Sequence, residues 1–379
     1  MARTAGNVLL VAALVGAWGC ESKTSEAPQV ATESRRAVLA HTDGLVGKAL
    51  SDFVTAAQTL ESSVLAWQSD PSKLGQAQQA FHAAMDTWQQ VEVVQVGPLA
   101  AMGVSPGAAD QRDFIYSWPL TNPCRIDQAT ANAEYTDLSG AAVNIRGLDA
   151  LEYLLFVDGT GNACPENSTL NSSGQWEALG PSEVEARRAD FAAAVAADLV
   201  ANAKAAQGGH SDFSPGFVDG DSPFSSQREA MNALTTAMFY LAQEVKDMKV
   251  APPIGVADCA SATCPEAIES RFAGRSLRNV RINLETFRAV FVADDTTGFD
   301  ALLAEAGGVQ TANDIVGEVD AALAILAQLQ RDFPEAIEPD AAQLELLFQH
   351  LRSLSTLLKT EFITLLDLDL PAKAEGDND

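Results

Sequence analysis

The chain has 379 residues, 47% of them hydrophobic, with 51 acidic against 24 basic side chains and a formal charge of −27. A surface this acidic repels phosphate backbones, which argues against nucleic acid as a partner. The length suits one large or two ordinary domains, at roughly 100–200 residues each.

The first residues, MARTAGNVLLVAALVGAWGC, read as an export signal over residues 1–19. Arg3 supplies the positive start, Asn7 to Trp18 the apolar stretch, and small residues precede Cys20. The apolar run is too short to span a bilayer. AWGC resembles a lipoprotein signal, with Cys20 as the lipidated mature N-terminus, although Ala17 and Trp18 are unusual there. Residues 20–35 are polar and poor in aromatics, as a flexible tether is. Four cysteines remain, Cys124, Cys164, Cys259 and Cys264, an even number that in an exported protein points to disulfides. CASATC would close a small ring from Cys259 to Cys264, leaving Cys124 to pair with Cys164. Three pairings are possible in all. Zinc is the weaker reading, since there is neither a CxxC nor a nearby histidine.

The rest reads as helical. A long apolar periodicity from Arg35 stops near Asp70-Pro71, and a second helix runs on to Gly97-Pro98, which predicts an antiparallel hairpin. Residues 102–142 are irregular. NIRGLDALEYLLF, Asn144 to Phe156, is a short and very oily helix. Another helix begins at Pro181. QGGHSDFSPGFVDGDSPF, residues 207–224, breaks the periodicity with Gly, Pro, Ser and Asp and reads as a linker. Five further helical stretches follow, and residues 371–379 read as a disordered tail. The expected fold is all-α, two up-and-down helical bundles in tandem over residues 36–206 and 225–370.

Asp149 and Glu152 stand three residues apart on one face of the oiliest helix. Burying one carboxylate is costly and burying two neighbours costs more. Three arrangements relieve this: a shared proton, an arginine partner (Arg112, Arg125, Arg146, Arg187 and Arg271 are available), or a metal cation. On residue chemistry alone the arginine pairing is the commoner outcome. The four histidines, His41, His82, His210 and His350, are isolated in sequence, although His82 and Asp86 share a helix face. HExxH and GxSxG are both absent, so neither a zincin nor a serine hydrolase is indicated.

GLDALEYLLF resembles the signature of the imelysin family, GxHxxE followed by an apolar run, with Gly147 and Glu152 matching and Asp149 in place of His. In the same order, AMDTWQQVEVVQVGPLA resembles the family's W…E…GP segment through Trp88, Glu92, Gly97 and Pro98. RDFIYSWPL resembles the segment ending in Trp118-Pro119, and KDMKVAPPIGV and ESRFAGRSLRNVRINLETFRAVF resemble the later ones. The resemblance runs from about residue 36 to 367. It implies two helical bundles in an exported, often lipid-anchored protein associated with iron uptake or regulation, in a family first described as peptidases. It also implies a metal site at Asp149 and Glu152; Glu92, four residues after Trp88 and on the same helix face, is the third candidate acid. Gly147, Arg112, Trp118, Trp88, Ser276 and Asn283 would form the pocket or its surround. For Ser276 and Asn283 the plainer readings are a helix cap and a packing contact.

An Asp in place of His leaves only oxygen donors. The expected ligand is therefore iron or another hard cation, as an ion or an iron chelate, rather than zinc. The expected function is metal or iron-ligand binding in the cell envelope, facing the periplasm or the cell surface, with the membrane reached through Cys20. The alternatives are a metallopeptidase, and a scaffold or peptide-binding lipoprotein whose site has decayed.

Overall fold

A computed structural model describes residues 1, 30–138, 140–294 and 297–374. The signal peptide, Cys20 and most of the tether lie outside the described residues. In chain order the helices are α1 (Thr32–Ser69), α2 (Leu74–Glu92), α3 (Gln111–Ile115), α4 (Pro123–Asn132) and α5 (Gly147–Phe156). Then come α6 (Thr169–Ser172), α7 (Gln175–Leu179), α8 (Pro181–Asp219) and α9 (Gln227–Met238). A ten-residue π-helix, Leu241–Val250, follows without a loop. The remainder are α10 (Ser276–Phe291), α11 (Phe299–Glu305), α12 (Val309–Gln328), α13 (Phe333–Ala336) and α14 (Ala341–Leu357), which runs on through a short π-helical stretch, Leu358–Phe362, into α15 (Ile363–Leu365). No strand occurs among the described residues, and the fold is all-α.

Amphipathic patterning explains the packing. Every third or fourth residue of α1, from Val38 through Phe53 to Val64, is buried. Its apolar stripe lies along α8 and α2, and α5 is wedged between α2 and α8. In the second half α12 packs on α14 and α10, and the π-helix packs on α14 and α10. Contact of α2 with α10 joins the halves, and a single hydrophobic cluster runs through both. A small satellite of Ala131, Cys164, Leu170, Trp176 and Val184 is stapled by the Cys124–Cys164 disulfide. The Cys259–Cys264 disulfide closes the second ring, so both expected pairs form.

Three expectations need correction. Residues 207–219 are not a linker but the last turns of α8, which ends at Gly220. His210, Phe213 and Phe217 are buried there, and Phe213 stacks on Phe217 at 5.4 Å. That burial outweighs the loss of one backbone hydrogen bond at Pro215, a cost of about 3 kcal/mol. Gly216 is present for close approach: a Cβ there would stand 2.2 Å from the Ser222 carbonyl oxygen. The tether ends earlier than residue 35, because α1 begins at Thr32 with Glu33 in its first turn, where a carboxylate suits the helix dipole. At the other end, Pro371 and Ala374 are buried, so the start of the supposed tail is packed, and residues 375–379 lie outside the described residues.

Candidate functional site

Helix α5 opens on Gly147 with φ +76°, a left-handed conformation that favours glycine. A Cβ at this position would stand 2.5 Å from the Ile115 carbonyl oxygen, so the helix start is pressed against the end of α3. This contact brings Asp149, in the first turn, under the backbone of Ser117 and Trp118. Gly147→Ala is expected to cost at least the 1–2 kcal/mol or so of a left-handed alanine, with the steric contact added. Urea denaturation checks this, and an unchanged midpoint would refute the tight approach.

One oxygen of each acid is held by backbone N–H groups. Asp149 Oδ2 accepts from Ser117 N at 2.6 Å and Trp118 N at 3.1 Å. Glu152 Oε1 accepts from Phe272 N at 2.8 Å and Ala273 N at 3.1 Å, donors supplied by the second half of the chain. Asp149 Oδ1 and Glu152 Oε2 accept no hydrogen bond from the described residues. Both acids are buried, 6% and 4% exposed, yet both line a cavity of about 450 Å³ between the halves. Trp118 and Pro119 form one wall, and Met248, Arg271 and Phe272 lie across from them.

Burial pushes the Asp149 carboxyl up to about 7, against the pull of the nearby Arg112 and the Ser117 N–H. Burial pushes Glu152 up to about 8, with Asp149 adding to the rise and the Ala273 N–H opposing it. The Ser270 hydroxyl lies near enough to lower Glu152 somewhat, but it is buried without a hydrogen-bond partner.

The expected arginine clamp does not form. Arg112 donates to both oxygens of Glu92, each at 3.2 Å, and to the Trp118 carbonyl at 3.1 Å. Arg125 pairs with Glu134, Arg146 with Asp198 and Arg187 with Glu183. Arg271 stacks over Phe272 at 4.8 Å, and its recorded hydrogen bond goes to the Glu266 carbonyl.

Glu92 as a third ligand is likewise corrected. It is fully buried behind the cavity, its two oxygens taken by Arg112 and by the Tyr240 hydroxyl at 2.8 Å. Trp88 is a core residue packed on Phe53. Arg112 and Trp118 do meet the site, the first by bridging Glu92 to the Trp118 carbonyl, the second as cavity wall. Ser276 bonds the Glu269 carbonyl rather than capping its helix, and Asp332 accepts the exposed N–H groups at the start of α10 instead. Asn283 bonds Gln89 and Lys249. His82 packs against Phe156, and Asp86 pairs with Arg275 and Arg278.

Directly behind the cavity wall lies a buried group that sequence reasoning missed. Lys249, from the π-helix, places Nζ 2.9 Å from Glu269 Oε1, and both side chains are fully buried. Tyr116 donates to the same oxygen at 2.6 Å. The available signal was a lysine at each end of KDMK, in a stretch flanked by the apolar runs AMFYLA and VAPPIGV. Among the described residues no group of three or more His, Cys, Asp or Glu is arranged to hold a metal ion. The protein can thus offer two oxygen donors, one from Asp149 and one from Glu152. That suits a hard cation which completes its shell from solvent or a co-ligand.

Solved structures that share the fold include two from bacteria. An imelysin-like protein from Psychrobacter arcticum 273-4 has a TM-score of 0.70 at 16% identity, covering 90% of this chain and 98% of its own. A protein from Parabacteroides distasonis ATCC 8503, provisionally named iron-regulated protein A precursor, has a TM-score of 0.68 at 17% identity, covering 87% and 94%. No curated protein matches. The family model described as Imelysin matches residues 47–359, most of the sequence, and the chain therefore belongs to the imelysin family.

Proposed function

We propose that this protein binds a hard metal cation, iron foremost, in the cell envelope, and that it is exported and held at a membrane by lipid on Cys20. The single observation behind this reading is the pair of unbonded oxygens, Asp149 Oδ1 and Glu152 Oε2, on buried acids that line an open cavity with no protein cation bonded to either. A buried carboxylate oxygen without a donor is unstable unless protonated or met by an external cation. Membership of the imelysin family supports an iron-related role, as does the iron-regulated name carried by a protein of the same fold. No helix among the described residues is long and apolar enough to cross a membrane, which is compatible with a lipid anchor. A peptidase reading is less well supported, because no histidine lines the cavity and catalytic zinc sites are built mainly from histidine.

The test is equilibrium binding of iron(II) under anaerobic conditions, manganese(II) and calcium to wild type, Asp149→Asn and Glu152→Gln at pH 8, with retained metal counted by mass spectrometry. Wild type should hold about one ion, and each variant should bind at least about tenfold more weakly, since even outer partners of metal ligands are worth about 10–100-fold in affinity. Equal and negligible metal in all three proteins would end the metal-binding reading.

A further inference from the structure

We propose that the cargo is a metal ion still carrying a small anionic oxygen chelator, and that Arg271 recognises the chelator. This rests on the metal-binding reading above. Three observations carry it.

The first is coordination. Asp149 and Glu152 supply two oxygens, and among the described residues no third His, Cys, Asp or Glu groups with them as a metal ligand. A hard cation of octahedral preference needs about six, so about four positions must be filled from outside.

The second is volume. Four waters at about 30 Å³ each fill only a fraction of the space, whereas the cavity measures about 450 Å³. That is the range of pockets that take small organic molecules, about 300–1,000 Å³.

The third is charge and hydrogen bonding. Among the residues lining the cavity, Asp149, Glu152, Asp247, Asp258 and Glu266 are acidic and Arg271 is the one arginine or lysine. Arg271 is exposed, with its guanidinium over the Phe272 ring, and no carboxylate among the described residues pairs with it. Its hydrogen bond to the Glu266 carbonyl, at 3.3 Å, occupies one nitrogen and leaves the other donors of the guanidinium fork for a planar carboxylate. Next to it, Ser270 is a 4% exposed residue that lines the same wall, its hydroxyl turned toward Glu152. Both belong to the turn whose Phe272 and Ala273 N–H groups fix Glu152. The groups that would meet the metal and those that would meet the chelator are therefore set by one short segment. The class of ligand that fits is a metal–polycarboxylate or metal–hydroxycarboxylate complex with at least one carboxylate facing away from the metal.

The experiment compares two probes, manganese(II) alone and iron(III) citrate, by quenching of tryptophan fluorescence, for which Trp118 in the cavity wall is the reporter. Wild type, Arg271→Ala, Arg271→Lys and Glu152→Gln are titrated, and thermal melts confirm that the exposed Arg271 variants fold. Arg271→Ala should weaken iron(III) citrate by about tenfold or more, the worth of a charged hydrogen-bond pair, while leaving manganese(II) within about twofold. Arg271→Lys should restore only part of the loss, because an ammonium lacks the planar fork. Glu152→Gln should weaken both probes. Equal loss of both probes in Arg271→Ala, or no loss of either, overturns the chelator proposal and leaves metal binding standing. Failure of both probes to bind wild type overturns the metal-binding reading, and the chelator proposal with it.

Discussion

Lys249→Met should destabilise the protein by about 3–5 kcal/mol, the usual consequence of leaving one member of a buried ion pair uncompensated. Lys249 is fully buried, and its ammonium makes three contacts of 2.9 Å, to Glu269 Oε1, Gln89 Oε1 and Asn283 Oδ1. Without it, Glu269 would keep a hydrogen bond from Tyr116 and a long one from Gln89, while Glu269 Oε2 is already buried and unpartnered. The double variant Lys249→Met with Glu269→Gln should recover much of the loss, because the stranded charge is removed along with its partner. Urea denaturation of both variants decides the matter. A single-variant cost below about 1 kcal/mol would mean that the pair is not desolvated as described. The effect should reach the cavity, since Glu269 directly precedes Ser270 and Arg271. The pair thus holds the floor beneath the turn that presents N–H groups to Glu152.

The contribution of Asp149 and Glu152 to the stability of the metal-free protein should fall as pH rises from about 4 to about 8. Asp149 and Glu152 have folded-state pKa values near 7 and 8, against ordinary values of 3.8 and 4.5. Below pH 4 folded and unfolded chains both carry these protons, and the contribution is fully present. Between there and pH 7–8 the folded protein keeps protons that the unfolded chain has released, so each unit of rising pH costs up to about 1.4 kcal/mol per group. Other acids slope the opposite way: the Asp43 carboxyl, against the cost of its burial, is held below the usual range by His210 and Ser214. The informative quantity is therefore the difference between wild type and Glu152→Gln, measured as melting temperature against pH in a chelating buffer. The variant should gain on wild type steadily above pH 5. Parallel curves would show that Glu152 titrates normally. A bound cation should reverse the trend, because it replaces the protons and is held more tightly as pH rises.

The oily helix with two acids was readable from residues alone, because the hydrophobic run demands burial and the carboxylates resist it. The helix positions of α5 and α10 also followed from local pattern, whereas the cysteine pairing was one of three that the sequence allows. What compensates the acids was not readable. The donors to Asp149 and Glu152 are backbone N–H groups of Ser117, Trp118, Phe272 and Ala273, and a backbone donor leaves no mark in a sequence. Glu92 looked like a cavity ligand because it shares a helix face with Trp88. The rotation of α2 turns that face toward Arg112 and Tyr240 instead. Residues 207–219 looked like a linker because Gly and Pro are weak helix formers in isolation. Tertiary burial of Phe213 and Phe217 overrode that preference, as it commonly does.

The π-helix from Leu241 to Val250 carries a further implication for how this region can vary. Its backbone is wound wider than an α-helix, with one residue more in each hydrogen-bonded ring. Loss of a single residue there, with the winding otherwise kept, would swing every later side chain of the stretch by roughly 100° or a little less around the axis. Lys249 would then face away from Glu269, and Met248 would leave the cavity wall. Chain length in this stretch is accordingly a stricter constraint than the identity of most residues in it: substitutions can be absorbed one at a time, whereas an insertion or deletion shifts the whole register at once.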